Sequence, residues 1–456
     1  MTATAHGPRD PGALPVDPES KARLARDGLR LGLVDTSSAS FALWLQAGAR
    51  GFHNARPTRE EVGRVTPESA YRRTTAVWDD AADPGTPVAT VSSWVSPLSV
   101  PGPLGPTLDV DAWAISSVTV SPTHRRHGIA RALLEAELRT AHAAGVPAAM
   151  LTVSEATIYG RYGFAPAARC SDFVVDTRRA GWRGPDPVAE RRGAVRFVEP
   201  EVLRQVARPV FEAARRRAPG QVPADDALWS EITHATLSAE DAELAPNLRA
   251  IRYEAEGETR GFALYRVEKL PEDHDVTTHT ATVLHLAAAT DDAYAALWRF
   301  LVGLDLVAWV RASLRSVDEP LRWLIRDQRA MGITRDYDHL WVRLLDVPAA
   351  LEARGYAAPG AAVVEVADPL GFAAGRFLLE VDAAGGGRVT PGAAEVPAGV
   401  PVLRLGVAEL GALYLGGVGA GTLARAGRVT EGAPGDAARV DALFHSPAAP
   451  WLGIWF

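Results

Sequence analysis

The chain has 456 residues, of which 47% are hydrophobic and 23% charged, as in soluble globular proteins of two to four domains. Its 48 basic and 55 acidic residues give a net charge of −7 without a basic face, which argues against a nucleic-acid partner. No apolar run reaches the roughly 18 residues of a membrane helix. The single cysteine, Cys170, excludes an internal disulfide and argues against a zinc cluster. We therefore expect a cytoplasmic protein with no metal site and no membrane insertion.

The first 24 residues are polar and rich in proline, and we expect a disordered N-terminal tail. Residues 25–178 have the pattern of one α/β unit. Its predicted elements are a helix at 41–51, strands at 88–96 and 114–121, a helix at 129–144, a strand at 148–154, a short helix at 156–161 and paired strands around 164–176. Parallel strands joined by a helix are expected, followed by a hairpin.

The segment 116–135, SSVTVSPTHRRHGIARALLE, is the most informative part of this unit. A β-branched run is followed by a loop with Arg125, Arg126 and Gly128, and then by a helix with apolar residues at helical spacing. The first N–H groups of that helix have no partner within it, and the glycine lets a ligand approach the backbone. The segment therefore predicts a pyrophosphate site, with a solvated basic turn as the alternative.

The next signal is the segment 154–164, SEATIYGRYGF, at the junction of a predicted strand and a short helix. A tyrosine hydroxyl near a thioester can protonate a departing thiolate, which makes Tyr159 a candidate general acid. The alternative is that Tyr159 and Tyr162 simply pack in the core.

Residues 179–338 predict a second α/β unit that begins with a polar linker at 179–192. Its predicted elements are a helix at 199–217, strands at 260–267 and 280–288, and a helix at 291–302. The strand–turn–helix order repeats that of the first unit, but the turn reads AATDDAY, and Asp291 and Asp292 would repel a pyrophosphate. We interpret the unit as a degenerate copy of the first; the alternative is an unrelated α/β domain.

Residues 339–456 predict an α+β domain. Its predicted elements are helices at 348–353, 407–415 and 436–444, strands at 361–367 and 375–381, and a tight turn at Gly385, Gly386 and Gly387. The chain ends on the apolar sequence WLGIWF. If this end is buried, the terminal carboxylate has a raised pKa and can act as a base toward an ammonium group. A frayed, exposed end is the alternative.

Four segments together resemble the Eis (enhanced intracellular survival) family of GNAT N-acetyltransferases. They are VTVSPTHRRHGIAR at 118–131, IYGRYGFAPA at 158–167, VPAALEARGYA at 347–357 and LGALYLGG at 410–417. The resemblance covers about 430 residues. It implies a catalytic GNAT domain at 25–178, a degenerate one at 179–338 and a sterol-carrier-protein-like domain at 339–456. It also implies a homo-hexamer that acetylates amines with acetyl-CoA, typically on aminoglycosides and sometimes on lysine side chains.

The resemblance also implies the site residues. Contacts to the acetyl and pantetheine parts of acetyl-CoA would lie at Val118, Thr119 and Val120. Pyrophosphate contacts would lie at Arg126, His127, Gly128, Ile129, Ala130 and Arg131, and further cofactor contacts at Ser154 and Glu155. Tyr159 would be the general acid, and the carboxylate of Phe456 the general base, delivered by the third domain. Direct transfer is expected, with the Val120 N–H polarising the thioester carbonyl and no role for Cys170 as a nucleophile.

The chain departs from the family pattern where the acceptor would bind. Trp455 stands where well-known members have an acid before the terminal Phe, and GARGFHNAR in the first helix region has no acid. Polycationic drugs need anionic walls, so the acetylation chemistry is predicted more firmly than an aminoglycoside substrate. Trp44, Trp94, Trp451 and Trp455 are candidates to line a pocket for a less charged amine. The competing functions are acetylation of protein lysines and non-catalytic binding of a lipid or acyl-CoA.

Overall fold

A computed structural model describes residues 10–103, 105–233, 247–268, 278–392 and 397–456. The strands are β1 (Leu29–Leu33), β2 (Arg73–Asp79), β3 (Ala89–Val100), β4 (Leu108–Val120), β5 (Ala148–Thr152), β6 (Ala165–Asp176), β7 (Ala194–Val198), β8 (Leu248–Ala255), β9 (Glu258–Glu268), β10 (His279–Ala288), β11 (Val307–Arg315), β12 (Met331–Leu344), β13 (Gly360–Ala367), β14 (Gly375–Val381), β15 (Gly387–Pro391), β16 (Val402–Gly406) and β17 (Val429–Glu431).

The helices of the described residues are α1 (Pro18–Arg26), α2 (Ser40–Gly51), α3 (Arg59–Glu68), α4 (Ile129–Ala143), α5 (Ala156–Tyr159), α6 (Thr177–Ala180), α7 (Pro200–Val206), α8 (Arg208–Arg215), α9 (Asp226–Ile232), α10 (Asp291–Val302), α11 (Leu321–Leu324), α12 (Val347–Ala353), α13 (Val407–Tyr414), α14 (Ala420–Arg425) and α15 (Asp436–Phe444). Most predicted elements are confirmed with ends shifted by a few residues.

Strands β1 to β12 form one sheet in the order β1-β2-β3-β4-β5-β12-β6-β11-β10-β9-β8-β7. This order consists of two similar halves that have exchanged their last strands: β12 of the second half lies beside β5, and β6 of the first half lies beside β11. The two α/β units therefore share a continuous sheet, and neither half has its complete sheet without the other.

This exchange corrects the hairpin predicted around residues 164–176. The segment is a single strand, β6, which pairs with β11 on one side and β12 on the other. It contains no glycine, and its Pro166 and Ser171-Asp172 do not reverse the chain, since strands of the second half pair with it on both sides. In the second unit, the single helix predicted at 199–217 is instead two helices, α7 and α8. Pro209 in the first turn of α8 has no N–H to continue α7.

The prediction that residues 1–24 form a disordered tail is wrong at its C-terminal end. Residues 1–9 lie outside the described residues, but Pro18–Arg26 form α1, which packs on α4. The side chain of Asp17 caps α1 at the Ser20 N–H (2.7 Å) and forms an ion pair with Arg139 of α4 at 2.9 Å. An aspartate before a proline is a strong helix start, and burial of Leu24 anchors the helix to the core.

The third unit has a five-stranded sheet in the order β15-β14-β13-β16-β17 with helices packed on it, as predicted for an α+β domain. Helix α13 lies between the two sheets and contacts β6 and β12. At Gly411 the helix approaches β12 so closely that a Cβ would lie 2.4 Å from the Val342 carbonyl oxygen. The fully buried ion pair between Arg343 of β12 and Asp368 (2.8 Å) also joins this unit to the large sheet.

Candidate active site

Strands β4 and β5 separate in the middle of the first half. They pair in parallel only from Ala112 opposite Ala148 to Ile115 opposite Leu151. Beyond that point β4 has a bulge at Ser117, whose φ of 55° is in the left-handed region, and the Ser117 carbonyl accepts a hydrogen bond from Thr90 Oγ1 at 2.8 Å. The backbone at 118–120 therefore faces a cleft on the β5 side, where an extended ligand can pair with it as another strand would.

The side chain of Thr119 lies on the face of the sheet that is covered by helix α2. Its hydroxyl lies 2.7 Å from that of Thr90, and helix α2 packs against it at Gly51. A Cβ on that glycine would lie 2.5 Å from the Thr119 Cβ. The Thr119 side chain is therefore buried beneath α2 and is not free to contact a ligand.

The loop after β4 leads into an open helix N-terminus. Arg126 and Gly128 both have left-handed backbones, with φ of 69° and 70°, and no side chain caps α4 at Gly128. Arg125, Arg126 and His127 are exposed around it, while Ile129 is buried and anchors the helix. Uncapped N–H groups beside exposed arginines form a site suited to a pyrophosphate.

Arg131 has a different environment from the loop arginines. Its guanidinium forms an ion pair with Glu135 on the next turn of α4 at 2.6 Å. Any role of Arg131 in binding a phosphate is therefore best assigned to its backbone N–H, which lies in the first turn of the helix.

Tyr159 lies at the end of α5, just beyond β5, and is 6% exposed. Its ring packs edge-on against Phe164 with centroids 6.4 Å apart. Burial raises the pKa of Tyr159, and the nearby carboxylate of Glu155 raises it further. The hydroxyl therefore stays protonated at neutral pH, which is the form that a general acid requires. Glu155 itself caps no helix N–H but accepts a hydrogen bond from Thr157 Oγ1 at 2.9 Å, and Ser154 precedes it at the end of β5.

The C-terminal segment 451–456 is docked across the large sheet and is not frayed. Backbone oxygens of alternate residues accept hydrogen bonds from side chains of three neighbouring strands: the Leu452 carbonyl from Cys170 of β6 (3.0 Å), the Ile454 carbonyl from His339 of β12 (2.8 Å) and an oxygen of the Phe456 carboxylate from Thr152 of β5 (2.9 Å). Leu452 and Ile454 are buried. The chain end thereby reaches the same strand, β5, that borders the cleft. We call these three side chains the tail tethers.

Cys170 serves this arrangement as a neutral donor. Burial raises the pKa of its thiol to about 12. A thiol in that state is a poor nucleophile, in line with the expectation from sequence.

A second layer of residues lies around the terminal side chain. The ring of Trp94 contacts that of Phe456 edge-on with centroids 5.7 Å apart, and the Arg72 guanidinium lies 4.2 Å from the Trp94 ring centroid. Arg72 Nε donates to the hydroxyl of Tyr71 (2.8 Å), which in turn bonds to Asp225. Sequence reasoning missed Arg72, Tyr71 and Asp225 because no local motif marks them.

The four tryptophans proposed to line one pocket do not meet. Trp44 is in the core of the first half, where its indole donates to the Thr75 carbonyl at 3.0 Å. Trp451 lies at the far end of the tail, and Trp455 is 46% exposed with its ring against His339. Within the described residues, Trp94 is the one of the four whose ring packs against the Phe456 ring. The expectation of one pocket lined by all four is therefore wrong, because Trp44, Trp451 and the Trp455 ring pack against other parts of the fold.

Two further properties of the described residues bear on the chemistry. They contain no group of three or more His, Cys, Asp or Glu residues that could hold a metal ion. Among the helices described, none is both long and apolar enough to cross a membrane.

Comparison with known proteins agrees with the architecture. Two family models described as "Acetyltransferase (GNAT) domain" match residues 37–167 and 220–344, and a "Sterol carrier protein domain" model matches residues 347–453. The chain thus has two GNAT domains in tandem followed by a sterol-carrier domain, and it is an acetyltransferase.

Relatives extend over most of the chain. An uncharacterized N-acetyltransferase of Streptomyces griseus is 35% identical over 414 residues, covering 90% of this chain and 96% of the relative. N-acetyltransferase Eis of Mycobacterium tuberculosis is 35% identical over 380 residues, covering 80% and 85%. The crystal structure of Eis1 from Mycobacterium abscessus superposes with a TM-score of 0.74 at 27% identity, covering 94% of this chain and 100% of that one. This chain therefore belongs to the Eis family of GNAT N-acetyltransferases.

Proposed function

We propose that the protein transfers the acetyl group of acetyl-CoA to a primary amine on a small molecule, by direct attack of the amine on the thioester. The observation that carries this proposal is the docking of the chain end. Phe456 is hydrogen-bonded to Thr152 on the strand that borders the β4–β5 cleft. A carboxylate is thereby held close to an edge where a thioester and an amine can meet.

The residues of the first half fit acetyl-CoA as co-substrate. The cleft beside 118–120 suits the pantetheine, and the uncapped N-terminus of α4 beside Arg126 and Gly128 suits the pyrophosphate. Ser154 and Glu155 at the end of β5 border the same cleft. When bound, acetyl-CoA supplies the activated acetyl thioester.

Three groups of the chain would act on the reacting atoms. The Val120 N–H would donate to the thioester carbonyl oxygen and stabilise the charge that develops there. The Phe456 carboxylate would accept a proton from the attacking amine, and Tyr159, whose raised pKa keeps it protonated, would donate a proton to the departing sulfur. No covalent bond to the enzyme forms in this scheme.

Charge at the acceptor side favours an amine other than a polycation. Arg72 is stacked on Trp94, which contacts Phe456, and the carboxylates of Asp225 and Glu231 near Arg72 offset its charge. Because Trp455 stands in place of an acid, the acceptor side lacks a carboxylate that would pair with a further ammonium group of an aminoglycoside. We therefore propose an acceptor with one amine and an apolar or aromatic body ahead of an aminoglycoside.

The test also distinguishes two competing functions. Acetylation of protein lysines would use the same chemistry on a larger acceptor. A carrier of lipid or acyl-CoA is suggested by the sterol-carrier domain, but that function gives Tyr159 and the docked carboxylate no role.

The test is thiol release from acetyl-CoA over a panel of monoamines, aminoglycosides and lysine peptides. Tyr159→Phe and deletion of Phe456 should each reduce turnover by about 10²-fold or more while acetyl-CoA still binds. Tyr162→Phe, a buried tyrosine three residues from Tyr159, is the matched control and should keep most of the activity. Binding of acetyl-CoA without turnover of any amine would contradict the proposal and favour the carrier.

The remaining parts of the proposal concern organisation. We propose three domains whose outer limits differ slightly from those expected: the first begins with α1 at Pro18, and the third begins after β12 ends at Leu344, with the first boundary kept at 178/179. We also propose a homo-hexamer and a cytoplasmic location. Family membership supports the hexamer, and a reduced, buried Cys170 is compatible with the cytoplasm. Sedimentation analysis of the full chain tests the oligomeric state.

A further inference from the structure

The second half of the sheet contains a cavity of about 560 Å³ between α8, β10 and α10. This volume is in the range of small-molecule binding sites. Its walls include the apolar side chains of Phe211, Leu286, Ala287 and Trp451. The cavity is far larger than the space left by imperfect packing, so it is a candidate binding site.

The cavity is the counterpart of the β4–β5 cleft. Strands β10 and β11 pair in parallel from His279 opposite Val307 to Val283 opposite Ala312, and then separate. The end of β10 that follows this separation lines the cavity, and α10 follows directly, as α4 follows β4. The second half thus has the same strand arrangement as the β4–β5 cleft, although its loop differs.

Nucleotide binding at this second cleft is opposed by its chemistry. The Thr290 side chain caps α10 by accepting from the Ala293 N–H at 3.2 Å, so that N–H is no longer free for a phosphate. Asp291 and Asp292 occupy the first turn and add negative charge. Asp291 is paired with Arg217, and Asp292 with Arg192 at 2.6 Å, so these arginines are not free to bind a phosphate. The prediction that this half lacks a CoA site is consistent with this cap and these pairs.

The charged side chains of the cavity leave one acid without a partner. Its three arginines are each paired with a carboxylate: Arg215 with Asp109, Arg217 with Asp291 and Arg315 with Glu319. Asp318 also lines the cavity, is exposed, and has no ion pair within the parts of the chain that the structure describes. The buried Arg315 guanidinium donates to the Leu286 carbonyl at 3.0 Å and to Glu319 at 3.3 Å, so its charge is balanced within the wall.

We propose that this cavity binds an amphipathic organic ammonium ion, whose apolar body lies against Phe211, Leu286 and Trp451 and whose charge is balanced by Asp318. Trp451 and Gly453 of the C-terminal segment form part of the wall. The Trp451 backbone is held by the Pro219 carbonyl (3.1 Å) and by Gln221 (2.7 Å). Because the complete wall exists only when the tail is docked, the ligand also stabilises the docked tail.

The binding test uses three probes with one apolar body and different charge: 4-phenylbutylammonium, 4-phenylbutanol and 4-phenylbutyrate, titrated calorimetrically into the full chain. The ammonium ion should bind about tenfold or more tightly than the other two. Asp318→Asn should abolish this preference, whereas Asp305→Asn, an exposed aspartate on the same half that does not line the cavity, should leave it unchanged. Ala214→Phe, at a partly exposed position of the wall, should weaken all three probes.

The position of the bound ammonium ion and its effect on the docked tail are measured separately from acetyl transfer. A benzophenone-bearing alkylammonium should cross-link to peptides that contain residues 211–218 and 286–295, and the phenylbutylammonium ion should slow release of Phe456 by carboxypeptidase. Equal affinity of the three probes, or an unchanged preference in Asp318→Asn, would overturn the proposal. So would cross-links confined to residues 71–94, since these lie beside the acceptor side of the first half. None of these readouts depends on acetyl transfer, so failure here and failure of the proposed catalysis are distinguishable.

Discussion

His339 Nε2 lies 2.8 Å from the carbonyl oxygen of Ile454, and this contact joins the central strand β12 to the C-terminal tail. Because a carbonyl can only accept, Nε2 must carry the proton, and the buried Nδ1 has no partner among the described residues. His339 is the middle tail tether, between Cys170 and Thr152, on three strands that are adjacent in the sheet. The position of the terminal carboxylate therefore depends on a histidine that carries a proton on Nε2.

Removing this donor should release the tail. His339→Leu leaves the Ile454 carbonyl unsatisfied in a buried place, at a cost of about 1–3 kcal/mol. Carboxypeptidase should then release Phe456 faster, and turnover should fall while acetyl-CoA affinity changes little. His339→Gln places an amide donor near the Nε2 position and should retain most of both properties; equal release in the two variants would contradict the tether.

The same histidine predicts a loss of stability in acid. Burial lowers the pKa of His339 below its ordinary value of 6.5, so the unfolded chain takes up a proton first as the pH falls. The stability is fully present above about pH 6.5 and is lost as the pH drops from there through the folded pKa. The midpoint of urea unfolding should therefore decrease over that window, with a smaller decrease in His339→Gln. If the urea midpoint fell with pH equally in the wild type and in His339→Gln, the loss of stability would be due to other titrating groups.

Tyr159→Phe should lower kcat by about 10²-fold or more, because the departing thiolate loses its proton donor. The raised pKa of Tyr159 keeps the hydroxyl protonated, so the ratio of wild-type to variant rates should be the same at about pH 7 and about pH 9. Steady-state kinetics on the best amine of the panel measures this. If the ratio of the rates approached one at the higher pH, Tyr159 would not be the general acid.

Gly51→Ala should disturb the β4 wall of the cleft on the side where helix α2 packs against it. The new methyl group would lie 2.5 Å from the Thr119 Cβ, so α2 must move away from β4 or Thr119 must shift. Overpacking of this kind costs about 1–3 kcal/mol, and acetyl-CoA affinity should fall as well. Gly63→Ala is the control, because nothing lies within 4 Å of its added Cβ and alanine favours the α3 helix. Urea unfolding and acetyl-CoA titration of both variants test this, and an unchanged Gly51→Ala would disprove the close approach.

Asp368→Ala should separate the sterol-carrier domain from the large sheet. The Arg343 guanidinium donates two hydrogen bonds to Asp368 and one to the Tyr162 carbonyl, and both charged groups are fully buried. Loss of one partner in a buried pair costs about 3–5 kcal/mol. Asp80→Ala, which breaks the exposed pair with Arg30, should cause a much smaller change in the midpoint of urea unfolding. If the two variants lost comparable stability, burial would not explain the contribution of the Arg343–Asp368 pair.

The sequence by itself determined the local parts of this protein. The β-branched run, the RRHG loop and the apolar period fix β4, its loop and α4 between residues 108 and 143, because propensity, glycine conformation and helix capping act over short distances. The same reasoning identified Tyr159 and the acidic turn AATDDAY of the second half. Resemblance to a family then supplied the role of the chain end.

Only the tertiary structure decided how distant parts meet. Thr152 and Phe456 are 304 positions apart, and Cys170 and Leu452 are 282 apart. Their contacts depend on the register of β5, β12 and β6, which follows from the exchange of strands between the two halves. A period-two pattern specifies which face of a strand is buried but not which strand lies beside it. For the same reason the cavity beside Trp451, and the cluster of Arg72, Tyr71 and Asp225, have no signature in the linear sequence.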